Sequence, residues 1–119
     1  MSSGGEWRFR RKDDMVAREL RPGVIGAALA AENMTVVRWE FPASTTRTTM
    51  HAHPEHEQIG YVISGSLEMQ VGDEIYTLHA GDMYRAPRNV PHGNALILST
   101  AVVLDVFSPP RNDYVEPEA

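Results

Sequence analysis

The stretch His51-Ala52-His53-Pro54-Glu55-His56-Glu57-Gln58, followed later in the chain by Pro87-Arg88-Asn89-Val90-Pro91-His92, decides the fold of this protein. Side chains two positions apart on an extended strand point to the same side, so His51 and His53 can hold one ion together. Further ligands must come from elsewhere in the chain. The candidates are Glu57, Gln58 and His92. The two segments together predict a metal centre in a small β-barrel.

The composition is that of a globular protein with a single domain. At 119 residues the chain is long enough for one hydrophobic core and too short for two. The net charge of -5 provides no basic surface to neutralise phosphates, which argues against nucleic-acid binding. The sequence contains no cysteine. Disulfides and thiolate ligands are therefore excluded, and any metal must be bound by nitrogen and oxygen donors.

The chain is predicted to fold as one unit between two polar ends. Residues 1–12 are expected to form a flexible lead-in, residues 13–111 the β-barrel domain, and residues 112–119 a loosely packed tail. The amino terminus is polar, and the longest apolar stretch, Val24 to Ala31, is interrupted by Gly26. Neither a secretory signal nor a membrane span is predicted, so we expect a cytoplasmic protein without membrane partners.

Short β-rich segments separated by Gly, Pro, Asn and Asp dominate the chain. The predicted strands are Thr35 to Phe41, Gln58 to Ile63, Ser66 to Val71, Glu74 to Leu78, Met83 to Ala86 and Leu96 to Phe107. Ser64-Gly65 is expected to end a strand, and Gly72-Asp73 predicts a hairpin. Asp13 to Leu20 is the only helix candidate, whereas Val24 to Ala31 fits a helix or a buried strand. With eight or more strands expected, the predicted fold class is all-β, a jelly roll or small barrel.

Asp105 interrupts a strand, Ala101 to Phe107, that is otherwise apolar on both faces. A buried carboxylate without a partner raises its pKa and tends to become neutral. Two interpretations are open: an ion pair with Arg85 or Arg111, or a general acid or base close to the ion. Phe107 shares the face of Asp105 by alternation, and it either packs in the core or lines the site. Arg111 is either an ordinary surface arginine or an anion-binding group at the cavity mouth.

The two opening segments resemble the two sequence motifs of the cupin family. The residues that match the first motif are His51, His53, Glu57 or Gln58, and Gly65. Those that match the second are Gly81, Pro87 and His92. Asn89 replaces a common glycine, and Leu96 replaces the usual final asparagine. Asn tolerates the left-handed backbone that such a glycine supplies, so the turn can survive. The resemblance implies a double-stranded β-helix, the cupin jelly roll, which binds a divalent transition metal.

The resemblance is closer to the pectin-degradation cupins of the KdgF type than to cupins at large. It is carried by His51-x-His53-x4-Gln58, by Tyr61 to Gly65, and above all by Leu104 to Arg111. Proteins of that type convert 4,5-unsaturated uronate monosaccharides to linear 4-deoxy-5-keto-uronates. The metal ligands that the resemblance implies are His51, His53, Gln58 and His92. The catalytic residues that it implies are Asp105, Phe107 and Arg111. A neutral Gln58 in place of a carboxylate would leave the site a full positive charge, suited to an anionic substrate.

Other functions would share the same metal site. A cupin dioxygenase, a polyketide-cyclase-like enzyme and a non-catalytic module that binds a small ligand are the alternatives. Three imidazoles and an amide oxygen suit Zn, Ni, Mn, Fe and Co alike, so the metal is left open. His56 is out of phase with His51 and His53 and is not expected to coordinate, and His79 is expected on the surface. The final strand, apolar on both faces, needs either a partner chain or an amino-terminal strand to cover it, and we expect a homodimer.

Overall fold

A computed structural model describes residues 8–111 and 113 of the chain. These residues form a short 3-10 helix and seven β-strands. The helix is Lys12–Asp14, and the strands are β1 (Arg18–Arg21), β2 (Val24–Ala30), β3 (Thr35–Phe41), β4 (Glu57–Val71), β5 (Glu74–His79), β6 (Met83–Ala86) and β7 (His92–Ser108). Across these same residues we find no helix with the length and apolarity needed to span a membrane. The predicted lead-in, 1–12, lies partly outside the described residues, and the predicted tail, 112–119, lies outside them except for residue 113.

The strands form one antiparallel sheet whose order is β1-β2-β3-β7-β4-β5, and β6 pairs with β4. β4 and β7 are the two longest strands, and they pair with each other along most of their length. The first half of β4 carries β6 on its other side, and the second half carries β5. The second half of β7 pairs with β3. The predicted all-β architecture is confirmed, and two long strands connect its parts.

β4 continues through Ser64-Gly65, where the sequence predicts an end. The register between β4 and β7 shifts on both sides of Ser64, so the strand bends without stopping. Gly65 has φ +80, and a Cβ atom there would overlap the backbone of Thr100. The predicted division into two strands is wrong because glycine lets the bent strand stay in contact with β7. The described residues accordingly contain seven strands and not eight or more.

The predicted helix from Asp13 to Leu20 is also wrong. Only Lys12–Asp14 forms a helical turn, and Arg18–Arg21 is the edge strand β1. β1 turns back onto β2 through Pro22-Gly23, where Gly23 has φ +79. Hydrogen bonds to β2 therefore decide the conformation of this segment, and such non-local pairing is invisible to a periodicity argument.

The remaining predicted strands are present, although β7 begins at His92, four residues before the predicted start at Leu96. Thr35–Phe41 and Met83–Ala86 have the predicted bounds. Val24–Ala30, which fitted a helix or a strand, is a strand paired with β3. The predicted hairpin joins β4 and β5 through Gly72-Asp73, and Gly72 has φ +58, as a tight two-residue turn requires.

Inward-facing side chains form two apolar clusters inside the barrel. The first contains Val62, Leu67, Met69, Leu78, Ile97, Ala101 and Val103. The second contains Val24, Val37, Trp39 and Phe107. Members of both clusters line a cavity of about 150 Å³, so apolar side chains form part of the wall of the functional site.

β7 alternates between the inside and the outside of the barrel, as predicted. Ala101, Val103, Asp105 and Phe107 are buried, whereas the outward side chains between them are half-buried. β7 lies between β3 and β4, so both of its edges are paired and neighbouring strands flank its outer side chains. Pairing through an exposed edge of β7 therefore gives no support to the expected homodimer, which stays a prediction.

Candidate metal centre

Backbone hydrogen bonds bring the two histidine-containing segments together. His51 and His92 exchange N–H···O bonds of 2.9 and 2.8 Å. The rings of His51, His53 and His92 have centroids 4.4 to 5.0 Å apart. A candidate ligand atom of each of these three residues lies within 4.8 Å of those of the other two. The structure thus gathers the three predicted histidine ligands into one cluster.

Asn89 connects the second segment to the first. Its φ of +63 is the left-handed conformation expected at this position. In that conformation the Asn89 N–H donates to the carbonyl oxygen of His53 at 3.0 Å. The asparagine therefore preserves the turn that a glycine commonly makes in cupins, and it anchors the backbone of a candidate ligand.

The environment favours neutral imidazoles. Burial lowers the pKa of His53 to about 4, and the Arg111 guanidinium and the neighbouring histidines act in the same direction. Burial also lowers the pKa of His92, against the effect of its bond to the carbonyl of Val90. His92 Nδ1 lies 3.1 Å from that oxygen, which places the proton on Nδ1 and leaves the Nε2 lone pair for a ligand.

Several buried polar atoms around the cluster have no hydrogen-bond partner among the described residues. Three of them belong to predicted ligands, Nε2 of His53, Nε2 of His92 and Oε1 of Gln58, and the fourth is Nε2 of His56, which is not a predicted ligand. A buried polar atom without a partner costs free energy, and such atoms in a native structure call for a specific explanation. Imidazole nitrogens and an amide oxygen suit a divalent transition metal. The residues present therefore fit the cofactor that the sequence predicts.

Gln58, and not Glu57, faces the cavity. The two residues begin β4 and alternate, with Gln58 only 6% exposed and Glu57 exposed to solvent. The Gln58 amide nitrogen donates to the Tyr84 hydroxyl at 2.6 Å. The amide oxygen is thus the end that stays open in the cavity that the histidines also line.

Asp105 lies at the bottom of this arrangement, 7% exposed. Burial raises its pKa to about 6, against the lowering effect of hydrogen bonds from Tyr84, Gln58 and Trp39. The bond from the Tyr84 hydroxyl to Asp105 Oδ1 is 2.5 Å long. Neutral donors therefore hold the carboxylate. The proposed ion pair with Arg85 does not form, because Arg85 is exposed on β6 and pairs across the sheet with Ile59.

Arg111 and Phe107 flank the histidines. Phe107 is 2% exposed and lies edge-on to the ring of His53 at 6.3 Å between centroids. The Arg111 guanidinium carbon lies 5.1 Å from the centre of the Phe107 ring. Arg111 forms its ion pair with Asp113 at 2.7 Å, and its backbone N–H donates to the buried Thr35 hydroxyl at 2.9 Å. Phe107 is thus both a core residue and a wall of the cavity.

The sequence did not identify several residues that line the cavity, among them Arg21, Trp39 and Tyr84. Tyr84 could have been assigned an inward side chain, because it alternates with the exposed residues of β6. Its contact with Asp105 depends on strand order, which the sequence does not state. Arg21 adds a second guanidinium to the cavity lining. Two guanidinium groups and the Asp105 carboxylate therefore line the same cavity, in a chain that is acidic as a whole.

The remaining histidines lie outside the cluster of three. The ring of His56 lies 4.5 Å from that of His53 and 5.4 Å from that of Phe107, so His56 borders the site. His79 is exposed, as expected, and its Nδ1 lies 3.9 Å from a carboxylate oxygen of Asp82. His56 is therefore a neighbour of the candidate ligands, whereas His79 belongs to a surface turn.

Comparisons with known proteins agree with this geometry. The cupin domain model matches residues 37–107. Over 67 residues the chain is 40% identical to the pectin degradation protein KdgF of Dickeya dadantii, a match that covers 56% of this chain and 61% of that protein. The chain thus spans less than two thirds of the length of this curated relative.

Two solved structures extend the likeness over nearly the whole fold. KdgF from Halomonas sp. superposes with a TM-score of 0.82 at 32% identity, covering 89% of this chain and 98% of that one. An RmlC-like cupin from Shewanella frigidimarina superposes with a TM-score of 0.81 at 28% identity, covering 97% and 100% of the two chains. Since the family model spans more than half of the residues, the chain belongs to the cupin domain family, as a small cupin of the KdgF-like kind.

Proposed function

We propose that this protein opens the ring of 4,5-unsaturated uronate monosaccharides in a metal-dependent isomerisation that yields 4-deoxy-5-keto-uronates. The observation that carries the proposal is one cavity that combines three histidines, a buried carboxylate with a raised pKa and an arginine. The likeness to the pectin degradation protein KdgF of Dickeya dadantii, and to the structure of KdgF from Halomonas sp., supports a uronate as the substrate.

His51, His53, His92 and Gln58 would hold the ion. All four are uncharged donors, so a divalent cation keeps its full positive charge in the cavity. When bound, such a cation acts as a Lewis acid that stabilises negative charge developing on a substrate oxygen. The two arginines in the cavity lining would contribute to the binding of an anionic substrate. Zn, Ni, Mn, Fe and Co all suit this donor set.

Asp105 would move the proton. Ring opening removes a proton from the anomeric hydroxyl, breaks the bond between the anomeric carbon and the ring oxygen, and leaves an enolate. Delivery of one proton to the enol carbon then gives the keto product, so no oxidant is consumed. A carboxyl group whose pKa lies near 6 is accessible in both protonation states close to neutral pH. The bonds from Tyr84 and Trp39 would keep it in place during both transfers.

Arg111 and Phe107 would position the sugar. A guanidinium binds a carboxylate with two parallel hydrogen bonds, and Arg111 makes such a contact with Asp113. The carboxylate of the substrate would take the place of Asp113 at this group. Phe107 supplies an apolar wall that limits the pocket beside the histidines. We further propose that the protein acts on this small anion as a homodimer in the cytoplasm.

A direct assay tests the proposal. Metal-loaded protein is mixed with 4,5-unsaturated galacturonate or glucuronate, and the loss of the conjugated enol-ether absorbance is compared with the uncatalysed rate. We expect acceleration that a chelator abolishes and that consumes no dioxygen. Unchanged rates with every suitable metal would contradict the proposal, and dioxygen uptake on another substrate would favour the cupin dioxygenase instead.

A further inference from the structure

We infer that Tyr84 is a positioning residue that determines which end of the Gln58 amide faces the histidine cluster. The inference rests on the proposed metal centre and is independent of the proposed substrate. Tyr84 is not itself a candidate metal ligand. It acts on the fourth candidate ligand through one hydrogen bond, and it is itself held by another.

The position of the Tyr84 ring is fixed by a glycine on the neighbouring strand. In the sheet, Gly60 of β4 lies opposite Tyr84 of β6 on one side and opposite Asp105 of β7 on the other. A Cβ atom at Gly60 would overlap the tyrosine ring. The phenol therefore lies across β4 in the space that a side chain would fill, and its hydroxyl reaches the carboxylate two strands away. The position of the Tyr84 side chain thus depends on the absence of a side chain at Gly60.

The direction of the hydrogen bonds follows from the chemistry of the three groups. Tyr84 has a single hydroxyl proton, and the geometry places it in the bond to Asp105 Oδ1. The phenol oxygen is then left as an acceptor, and the amide group facing it must present its NH₂ end. Gln58 Oε1 is consequently turned away from Tyr84, where it is buried without a hydrogen-bond partner in the described part of the chain.

This orientation matters because the two ends of an amide differ as ligands. The oxygen has lone pairs for a metal, whereas the NH₂ group offers only hydrogens. Asp105 also accepts a hydrogen bond from Gln58, which favours the same orientation. Loss of the Tyr84 hydroxyl therefore weakens the preference without removing it. Supporting hydrogen bonds of this kind typically change metal affinity by about 10- to 100-fold.

The test is a cycle of variants with Co²⁺ as the probe. Tyr84→Phe should lower Co²⁺ affinity by about tenfold, measured by competition with a chelator, and should change the visible Co²⁺ spectrum. Tyr76→Phe, on an exposed tyrosine of β5, is the matched control and should change neither. In a Gln58→Glu background both ends of the side chain are oxygens, so adding Tyr84→Phe should cost less than about threefold.

Unchanged Co²⁺ affinity in Tyr84→Phe would overturn the inference, as would an equal loss in the Gln58→Glu background. Failure of the parent protein to bind Co²⁺ would overturn it together with the metal centre. If Tyr84→Phe does not fold, the inference is tested instead on the parent protein, by NMR of the side-chain amide protons of Gln58. They should exchange slowly with solvent and show contacts to the Tyr84 ring by NMR, and fast exchange would refute the proposal. If the Co²⁺ affinity changes as expected but the protein has no activity on unsaturated uronates, the proposed substrate is rejected and the inference about Tyr84 stands.

Discussion

The cavity has two sides that are built in different ways. On one side, His51, His53 and His92 come from short segments joined by backbone hydrogen bonds. On the other side, Gln58, Tyr84 and Asp105 lie on three paired strands, and the sheet register holds them together. The histidine side is partly exposed, whereas Asp105 and Gln58 are buried. The difference teaches that the histidines and the buried carboxylate are held by separate parts of the fold, and that Gln58, a candidate ligand bonded to Tyr84, connects the two sides.

Loss of a histidine ligand should have the largest effect. His53→Ala removes a neutral nitrogen donor from the cluster of three, so Co²⁺ affinity should fall by more than about 100-fold, beyond what supporting hydrogen bonds provide. Turnover of unsaturated uronate should fall to the uncatalysed rate. His79→Ala, on an exposed residue, is the control and should bind Co²⁺ normally. Equal affinity in His53→Ala and the parent protein would exclude His53 as a ligand.

Replacement of the buried carboxylate should distinguish most clearly between the two sides of the cavity, because turnover and metal content should respond differently. Asp105→Asn removes the proton carrier and keeps the shape, so kcat should fall by about 100- to 10,000-fold while metal content stays the same. Metal analysis and steady-state kinetics on the same sample measure both quantities. Glu57→Gln, on the exposed neighbour of Gln58, is the control and should keep full activity. Full activity in Asp105→Asn would reject the proposed role of this residue.

Removal of the guanidinium should have a smaller effect. Arg111→Ala should lower kcat/KM by about 10- to 100-fold, mainly through a higher KM, because hydrogen bonds to charged groups contribute about 1.5–3 kcal/mol. Arg85→Ala removes an arginine exposed on β6 and should leave both constants unchanged. A decrease confined to kcat in Arg111→Ala would point to a part in the chemical step instead of substrate binding.

A further effect, on stability and not on activity, should appear in the metal-free protein. The folded pKa of Asp105, about 6, lies above the ordinary value of 3.8. Its contribution to stability is therefore present below pH 3.8 and is lost as the pH rises through 6. Asp105→Asn should raise the free energy of unfolding by up to roughly 3 kcal/mol at about pH 8, and the gain should vanish near pH 4.

Urea unfolding of both proteins at the two pH values measures this difference. His53, His56 and His92 have lowered pKa values, so the stability that they contribute decreases as the pH falls below 6.5. That change is common to both proteins and cancels in the comparison. A variant that is less stable than the parent at about pH 8 would contradict the raised pKa of Asp105.

The sequence predicted most of the fold, and it predicted best where the signals are local. Thr35–Phe41 and Met83–Ala86 are bounded by turn residues, and their bounds agree with the structure. Asp13 to Leu20 was misread because hydrogen bonds to β2, a non-local partner, make part of it a strand. The prediction that a strand ends at Ser64-Gly65 is wrong for a similar reason. Residues of this kind can end a strand, but here β4 bends and continues because it stays paired with β7.

The residues of the candidate site differ in the same way, since some depend on local signals and others on strand order. The spacing within each histidine segment is local, and the segments match family motifs, so all three clustered histidines were identified. Tyr84 was not, because its position depends on the alignment of β6, β4 and β7 at Gly60. Only the register of three strands shows that the tyrosine, the glutamine and the carboxylate share one hydrogen-bond network.

The backbone links between the two histidine segments have a consequence for how the protein acquires its ion. His51 is joined to His92, and His53 to Asn89, by main-chain bonds that need no metal. We expect the metal site to be formed before an ion binds, so that ions can be removed and exchanged without unfolding the chain. Because this donor set accepts several transition metals, the ion recovered with the protein should reflect the supply in the cell that made it.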